Sequence, residues 1–344
     1  MAITKPALEY YSFDKLLSFN AVYNFVVGAR GYGKTYGAKK IVIRNYLRDK
    51  AQFVYLRRYQ EEIKGKFSFF SDIAQEFPDV AFRVIGNEAQ VCRQPNEDEK
   101  KMRWETMGYF VVLANAQSKK GVSYHHVKTI IYDEFIIEKG FLRYLPNEAK
   151  VFNDFYSTVD RWKDKTRVLF LANALTIMNP YFHEYDINPQ RGQEFIKRND
   201  GFIVAHFPKS QKFIDGVFKT RFGKFIEGTE YADYSVVNEF HDNNDRQLGT
   251  KPPDAFYRYS LNSEHGTVSV WGVSGDGHTT WYITSRRPKK EILFTLVPEN
   301  VGLGMVYLTY SNKILQHLRA AYARGYVFFD KPASRNAFVE VFVR

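Results

Sequence analysis

The sequence predicts an α/β fold: a parallel sheet with helices on both faces, followed by a smaller α+β region. Three observations carry that prediction. Short, nearly uninterrupted apolar runs alternate with segments of helical spacing up to about residue 205. That is the pattern of strands covered on both faces and joined by crossover helices. One run leads directly into a glycine-rich loop and then a helix. After about residue 250 the texture changes to short runs separated by tight turns.

Tyr23 to Gly28 reads as the first strand, and Thr35 to Arg48 as a helix in which Ala38, Ile41, Val42, Tyr46 and Leu47 recur near helical spacing. Gln52 to Leu56 is a second strand, ending in the basic pair Arg57 and Arg58. Phe67 to Phe77 has helical spacing and is stopped by Pro78. Tyr109 to Ala114, Val127 to Tyr132 and Arg167 to Ala172 are further strands, with a helix from Glu148 to Trp162 between the last two. Asn179-Pro180, Asn188-Pro189 and the polar run from Glu239 to Gln247 then punctuate the chain. Beyond them lie strands at Ala255 to Leu261, Thr267 to Val273 and Thr279 to Thr284, a basic cluster of Arg286, Arg287, Lys289 and Lys290, and a helix from Asn312 to Arg324. The organisation read from this is a first domain over 1–205, a connecting segment over 206–250 and a smaller domain over 251–344.

The 344 residues are 44% hydrophobic and 25% charged, a globular composition rather than a disordered one. The single cysteine, Cys92, excludes an intrachain disulfide framework and a cysteine-ligated zinc site within one chain. The amino terminus shows no secretory signal. The longest apolar stretch, Val168 to Ala174, falls far short of the roughly 20 residues a membrane span needs. A soluble intracellular protein is expected. Lysine and arginine number 49 against 38 aspartates and glutamates, so the net charge is 49 − 38 = +11. That surplus points to polyanions, nucleic acid first and anionic membranes second.

Gly28-Ala29-Arg30-Gly31-Tyr32-Gly33-Lys34-Thr35 fits the phosphate-loop pattern G-x-x-x-x-G-K-S/T at every position, with a strand before it and a helix after it. Backbone N–H groups of such a loop curl around phosphate oxygens at a helix N-terminus. Lys34 would reach the β- and γ-phosphates of a nucleotide, and the Thr35 hydroxyl would ligate Mg²⁺. Ile130-Ile131-Tyr132-Asp133-Glu134 is an apolar strand ending in two carboxylates. Asp133 would hold the Mg²⁺ through a water, and Glu134 would orient or deprotonate the attacking water. A guanine-reading Asn/Thr-Lys-x-Asp string is missing, since Asn312-Lys313-Ile314-Leu315 lacks the aspartate. The expected nucleotide is therefore ATP, with Tyr10 and Tyr11 as candidate adenine contacts.

Asn173, at the end of the next strand, either senses the γ-phosphate beside the loop or satisfies a strand-end turn. Arg161 is either a solvated helix end or a cation that reaches a neighbouring subunit's nucleotide. Arg57, Arg58, Lys119 and Lys120 are basic loop positions with charge as their only warrant. His125 and His126 make no metal site. In the last domain the first strand contains no carboxylate, while Asp254, Glu264 and Asp276 fall before it or in turns. A two-metal nuclease site is therefore not expected.

The blocks Phe25 to Thr35, Phe53 to Tyr59, Ala74 to Asp79, Ile130 to Phe135, Leu145 to Glu148, Asn173-Ala174, Asn179 to Phe182, Thr220 to Gly223 and Ile226 to Tyr231 occur in one order. Together they resemble the DNA-packaging (encapsidation) ATPases of small short-tailed phages, the Picovirinae type. The resemblance runs in register from about residue 10 to 231 and more loosely to the end. It implies an ASCE-type P-loop NTPase domain, a small linker domain and a C-terminal RNase H-like domain that is a vestigial nuclease. It also implies a ring, typically a homopentamer, at the portal (connector) of an empty prohead. There it would thread double-stranded DNA by ATP hydrolysis, in the host-cell cytoplasm and without a membrane.

By motif match, Asp133 and Glu134 take the Mg²⁺ and catalytic roles, and Arg161 is a finger acting in trans. Two arginines flanking the family's finger appear here as Lys163 and Lys165, and lysine lacks arginine's planar fork. Some relatives dock on a structural packaging RNA, which the Arg286 to Lys290 cluster would suit. The alternatives are another nucleic-acid-dependent P-loop ATPase, helicase-like or a segregation motor, and a non-catalytic RNA-binding adaptor.

Overall fold

A computed structural model describes residues 8–94, 102–119, 124–137, 143–177, 179–189, 192–238, 240, 247–263, 266–275, 278–302, 304–309, 311–331, 334–335 and 337–339. Lys120, Glu264, Asp276 and most of the polar run from 239 to 247 lie outside these residues. The chain divides into two compact units, Met1–Asp242 and Asn243–Arg344.

The first unit is built on nine strands: β1 (Tyr23–Val27), β2 (Gln52–Arg57), β3 (Ala81–Ile85), β4 (Glu88–Cys92), β5 (Glu105–Val112), β6 (Val127–Asp133), β7 (Arg167–Ala172), β8 (Phe195–Arg198) and β9 (Ile203–His206). Their order is β3-β4-β5-β2-β6-β7-β1-β9-β8. From β5 to β9 every neighbouring pair is parallel, as the apolar runs predict. The two edges are antiparallel, β3 and β4 at one end and β8 at the other. Sequence reading missed β3, β4, β8 and β9, which are four or five residues long. Of these, β3 and β8 are the sheet's outermost strands and bury little, so no sustained apolar run marks them.

Side-chain alternation along the central strands feeds two cores, one on each face. Phe25, Val27, Ile130, Tyr132 and Phe170 pack with Phe152 and Phe155 of α3 (Glu148–Asp160) and with Tyr181 and Phe182 of α4 (Pro180–Glu184). Val26, Ile131, Leu169 and Leu171 pack with Ala38, Val42, Ile43 and Tyr46 of α2 (Lys34–Asp49), beside the short α1 (Asp14–Leu17). Phe25 lies in register with Phe170 across β1 and β7, and their rings stack at 4.1 Å. Each fully buried ring contributes roughly 1.5–3 kcal/mol.

The helix expected over Phe67 to Phe77 is replaced by 3₁₀ turns at Glu61–Ser68 and Ala74–Glu76. The apolar spacing was read correctly, since Phe69, Phe70 and Ile73 are buried. The period was not. Over one or two turns, repeats of 3.0 and 3.6 residues place the same side chains inward.

After β9 come α5 (Gln211–Phe218), α6 (Arg221–Ile226) and α7 (Glu230–Ser235). Ser210, Thr220 and Thr229 cap them, each side-chain oxygen accepting an N–H from the first turn. Ile214, Ile226, Ala232 and Val236 form a small core of their own.

In the second unit, β10 (Phe256–Ser263), β11 (Gly266–Gly275) and β12 (His278–Thr284) form an antiparallel meander. β13 (Leu293–Thr295) runs parallel to β10, β14 (Val306–Tyr307) parallel to β13, and β15 (Val327–Phe329) parallel to β12. Helix α8 (Lys313–Ala323) is capped by Asn312 and buries Leu315 and Leu318. Among the described residues, no helix is long and apolar enough to cross a membrane.

Candidate active site

Parallel pairing brings the carboxyl ends of β1, β6 and β7 to one edge, with Val27 beside Ala172 and Asp133 beside Leu171. A cavity of about 300 Å³ opens there, walled by the loop from Arg30 to Thr35, by Asp133 and Glu134, and by Asn173. Sequence reading named all of these residues.

The loop takes its shape from glycine. Gly31 and Gly33 have φ of 73° and 83°, where a side chain is strained. Gly33 caps α2, so the free N–H groups of that helix face the cavity. Gly28 remains tied to the sheet, its N–H donating to Ala172 O at 3.1 Å. The side chains of Ala29 and Tyr32 are buried, the Tyr32 ring packing 4.8 Å from Phe213, so both serve the cavity through main chain alone. The Arg30 amide donates to Ser235 O at 2.7 Å.

Lys34 folds back over the loop. Its Nζ donates to Gly28 O at 2.8 Å, to Ala29 O at 2.7 Å and to Asn173 Oδ1 at 3.1 Å. Burial pulls its pKa down to about 8, against the opposing pull of Asp133. The hydrogen-bond partners of this buried ammonium are neutral oxygens, and a phosphate is the group that would complete it. Asp133 is the converse case. Its Oδ2 accepts from Thr35 Oγ1 at 3.0 Å and from Tyr55 OH at 2.9 Å. Burial raises its pKa, while Arg57 works in the other direction. A buried carboxylate beside a threonine hydroxyl fits a hard divalent cation. On these grounds the residues present suit both a nucleotide triphosphate and Mg²⁺.

Glu134 has φ of 55° and an exposed carboxylate whose Oε2 accepts from Arg57 Nη2 at 2.5 Å. Arg57 also pairs with Glu62 Oε1 at 3.2 Å. Asn173 joins the cavity through Lys34. Arg161 does not. It is the C-cap residue of α3, before β7, whose far end carries Asn173. Six strand residues at about 3.3 Å each put it roughly 20 Å from its own chain's cavity. There it stands with Trp162, which is 89% exposed, on a loop of left-handed residues. The Asp160 carboxylate fixes that loop by accepting the N–H groups of Lys163, Asp164, Lys165 and Thr166 at 2.8–2.9 Å.

Tyr10 is exposed with its ring against Gly33, whereas Tyr11 is buried and hydrogen-bonded to His206 Nδ1 at 2.8 Å, which removes it as a base contact. Tyr55, Arg57 and Arg58 are the site residues whose roles sequence reasoning missed. The available signal was that β2 ends beside the carboxylate strand, one residue past the pairing of Leu56 with Tyr132.

Residues 6–344 match the family profile described as podovirus DNA encapsidation protein (Gp16). The DNA packaging protein of Bacillus phage phi29 is 33% identical over 336 residues, covering 97% of this chain and 97% of that protein. Among solved structures, the viral genome packaging motor assembly of bacteriophage phi-29 aligns with a TM-score of 0.75 at 31% identity, over 97% of this chain and 98% of that one. The N-terminal domain of the DNA packaging ATPase from bacteriophage phi29 aligns with a TM-score of 0.53 at 34% identity, over 59% of this chain and 98% of that one. A profile match over nearly the whole chain, with a relative above 30% identity at full length, makes this chain a member of the podovirus DNA encapsidation protein (Gp16) family.

Proposed function

We propose that this chain is the ATP-hydrolysing subunit of a ring motor that drives double-stranded DNA through the portal of a preformed prohead. One observation carries the reading: a buried lysine hydrogen-bonded to neutral oxygens, a Thr35–Asp133 pair and Glu134 converge on a single sheet edge in a member of this family.

In this mechanism Lys34 Nζ exchanges its loop carbonyls for the β- and γ-phosphate oxygens, and the N–H groups of Gly31, Gly33 and Lys34 cradle them. Thr35 and Asp133 would hold Mg²⁺, which supplies neutralisation of developing phosphate charge. Glu134, once parted from Arg57, takes a proton from the attacking water. Asn173, already bonded to Lys34, reports whether that lysine is engaged by phosphate. The distance between Arg161 and its own cavity supports a role in trans, adding charge at the next subunit's nucleotide. A ring, pentameric as the resemblance implies, follows from that need.

For the rest of the chain we retain an ATPase domain over 1–205, a linker over 206–250 holding α5 to α7, and a vestigial RNase H-like domain over 251–344. The mixed sheet of the second unit supports that last reading, and its first strand, β10, offers no carboxylate for nuclease chemistry. The basic surplus supports a sequence-independent, salt-sensitive grip on duplex DNA. The cluster from Arg286 to Lys290 suits a structural RNA at the portal vertex. The motor would work in the host cytoplasm.

The deciding experiment is steady-state ATP hydrolysis with and without duplex DNA, and with proheads, for wild type and Glu134→Gln. DNA-stimulated turnover that the variant loses is the expected result. Turnover unchanged in the variant overturns the role of Glu134, and strand displacement without proheads would favour a helicase-like motor.

A further inference from the structure

Glu134 occupies the left-handed region, which is uncommon for a side-chain-bearing residue and costs free energy that its surroundings must offset. The turn is held by the Glu134 N–H donating to Asp133 Oδ1 at 3.1 Å, by the Phe135 N–H donating to Leu171 O at 3.3 Å, and from the carbonyl side by Arg58. Its Nη2 donates to Phe135 O at 2.7 Å, and its Nη1 lies 3.4 Å from Glu134 O. The guanidinium therefore grips the two carbonyls that set where the Glu134 side chain points.

Arg58 is itself held on every side. It is 1% exposed and forms a bidentate pair with Glu148, Nε to Oε2 at 2.7 Å and Nη2 to Oε1 at 2.8 Å. The rings of Tyr132 and Tyr144 lie 5.8 Å and 5.0 Å from it. Glu148 is saturated in turn: Oε1 accepts from Tyr132 OH and Tyr181 OH, each at 2.9 Å, and Oε2 accepts from Leu145 N at 2.8 Å. A fully satisfied buried network of this kind fixes geometry. An ion pair serving only to pin α3 to the sheet would need the contacts to Glu148. It would not need two further donors aimed at the main chain of residues 134 and 135.

We propose that Arg58, oriented by Glu148, is a positioning residue for Glu134. It holds the left-handed turn after β6 so that the carboxylate projects from the sheet edge toward the cavity, while Arg57 engages the carboxylate itself. The proposal rests on Glu134 being the water-activating group. Arg58 touches neither the loop nor Asp133 in the hydrogen bonds it makes, so it governs turnover and leaves nucleotide binding alone.

The test compares the full chain carrying Arg58→Lys with wild type, under conditions where wild type turns over with duplex DNA. Lysine keeps the charge facing Glu148 but lacks the fork that also spans two carbonyls. The expected result is a kcat lowered by about ten- to a hundredfold, the scale of a misplaced reacting group. Nucleotide affinity, read with a fluorescent ATP analogue, should stay within about twofold of wild type on the same argument.

Should Arg58→Lys fold poorly, the paired variant Arg58→Met with Glu148→Gln removes both charges together, which cores commonly tolerate. It should show the same split between kcat and affinity. Wild-type kcat in a folded version of either variant overturns the proposal. So does a parallel loss of kcat and affinity, which would mark a merely structural pair. Glu134→Gln runs alongside. If it keeps full turnover, the reading of Glu134 has failed. If it loses turnover while Arg58→Lys does not, only the role of Arg58 has.

Discussion

Arg57 Nη2 stands 2.5 Å from Glu134 Oε2, an ion pair formed between the ends of two adjacent parallel strands. In the mechanism proposed above, it holds the carboxylate that would meet the attacking water. Because Glu134 is largely exposed, the pair is worth about 1 kcal/mol at most, enough to favour the held state without locking it. Arg57→Gln should therefore raise DNA-free turnover, and so lower the ratio of DNA-stimulated to DNA-free turnover, by up to about fivefold. Parallel ATPase assays across a DNA titration read this directly, and an undiminished stimulation ratio would remove Arg57 from control of the site.

Arg161→Ala should lower turnover by about 10³-fold or more, as removal of an arginine finger does, with nucleotide binding preserved. Mixing it with Glu134→Gln subunits places an intact Arg161 beside an intact Glu134 at some interfaces. Partial recovery of activity in the mixture is expected. Its complete absence across all mixing ratios would argue that Arg161 does not act between subunits.

The pKa of Lys34 gives a pH signature. Its folded value of about 8 lies below the ordinary 10.5 because burial disfavours the charge. In the ligand-free protein its contribution to stability is present above the unfolded value and is lost as the pH falls through about 8. A bound phosphate restores the charge, so ATP binding should take up protons near pH 8 and weaken as the pH rises further. Calorimetry in two buffers of different ionisation enthalpy measures that uptake, and identical heats would mean that Lys34 does not titrate there.

Gly223 sits where α6 crosses the end of α5, and a Cβ there would meet Val217 O at 1.9 Å. Main chain has to move to admit it. Gly223→Ala should cost about 1–3 kcal/mol, the usual penalty of overpacking, visible as a lowered melting temperature. Since Gly223 lies outside the cavity, kcat measured well below that temperature should match wild type.

The cavity was legible in the sequence because its parts are local. A phosphate loop needs glycines at fixed offsets, and a strand that ends in Asp133-Glu134 announces itself by residue type. Topology then brings those parts together without further information, since parallel strands share an edge. Arg57 and Arg58 illustrate the other case. Adjacent and chemically identical, they acquire opposite settings: one reaches an exposed carboxylate, the other is buried against main-chain carbonyls. That difference follows from strand alternation combined with the left-handed turn at Glu134, and only the second of these escapes sequence reading. Among the secondary elements, the 3₁₀ turns after Gln60 were misread because their apolar residues satisfy the helical spacing equally well.

Helix α3 spans 13 residues, about 20 Å of rigid rod at 1.5 Å per residue. Glu148 at its start is bonded through Arg58 to the peptide of Glu134, and Arg161 caps its end on a loop stapled by Asp160. If Arg161 acts in trans, as proposed, such a rod would deliver a displacement of the turn at one subunit's glutamate to the arginine it offers outward. A closed circle of such rods would pass a firing order from member to member.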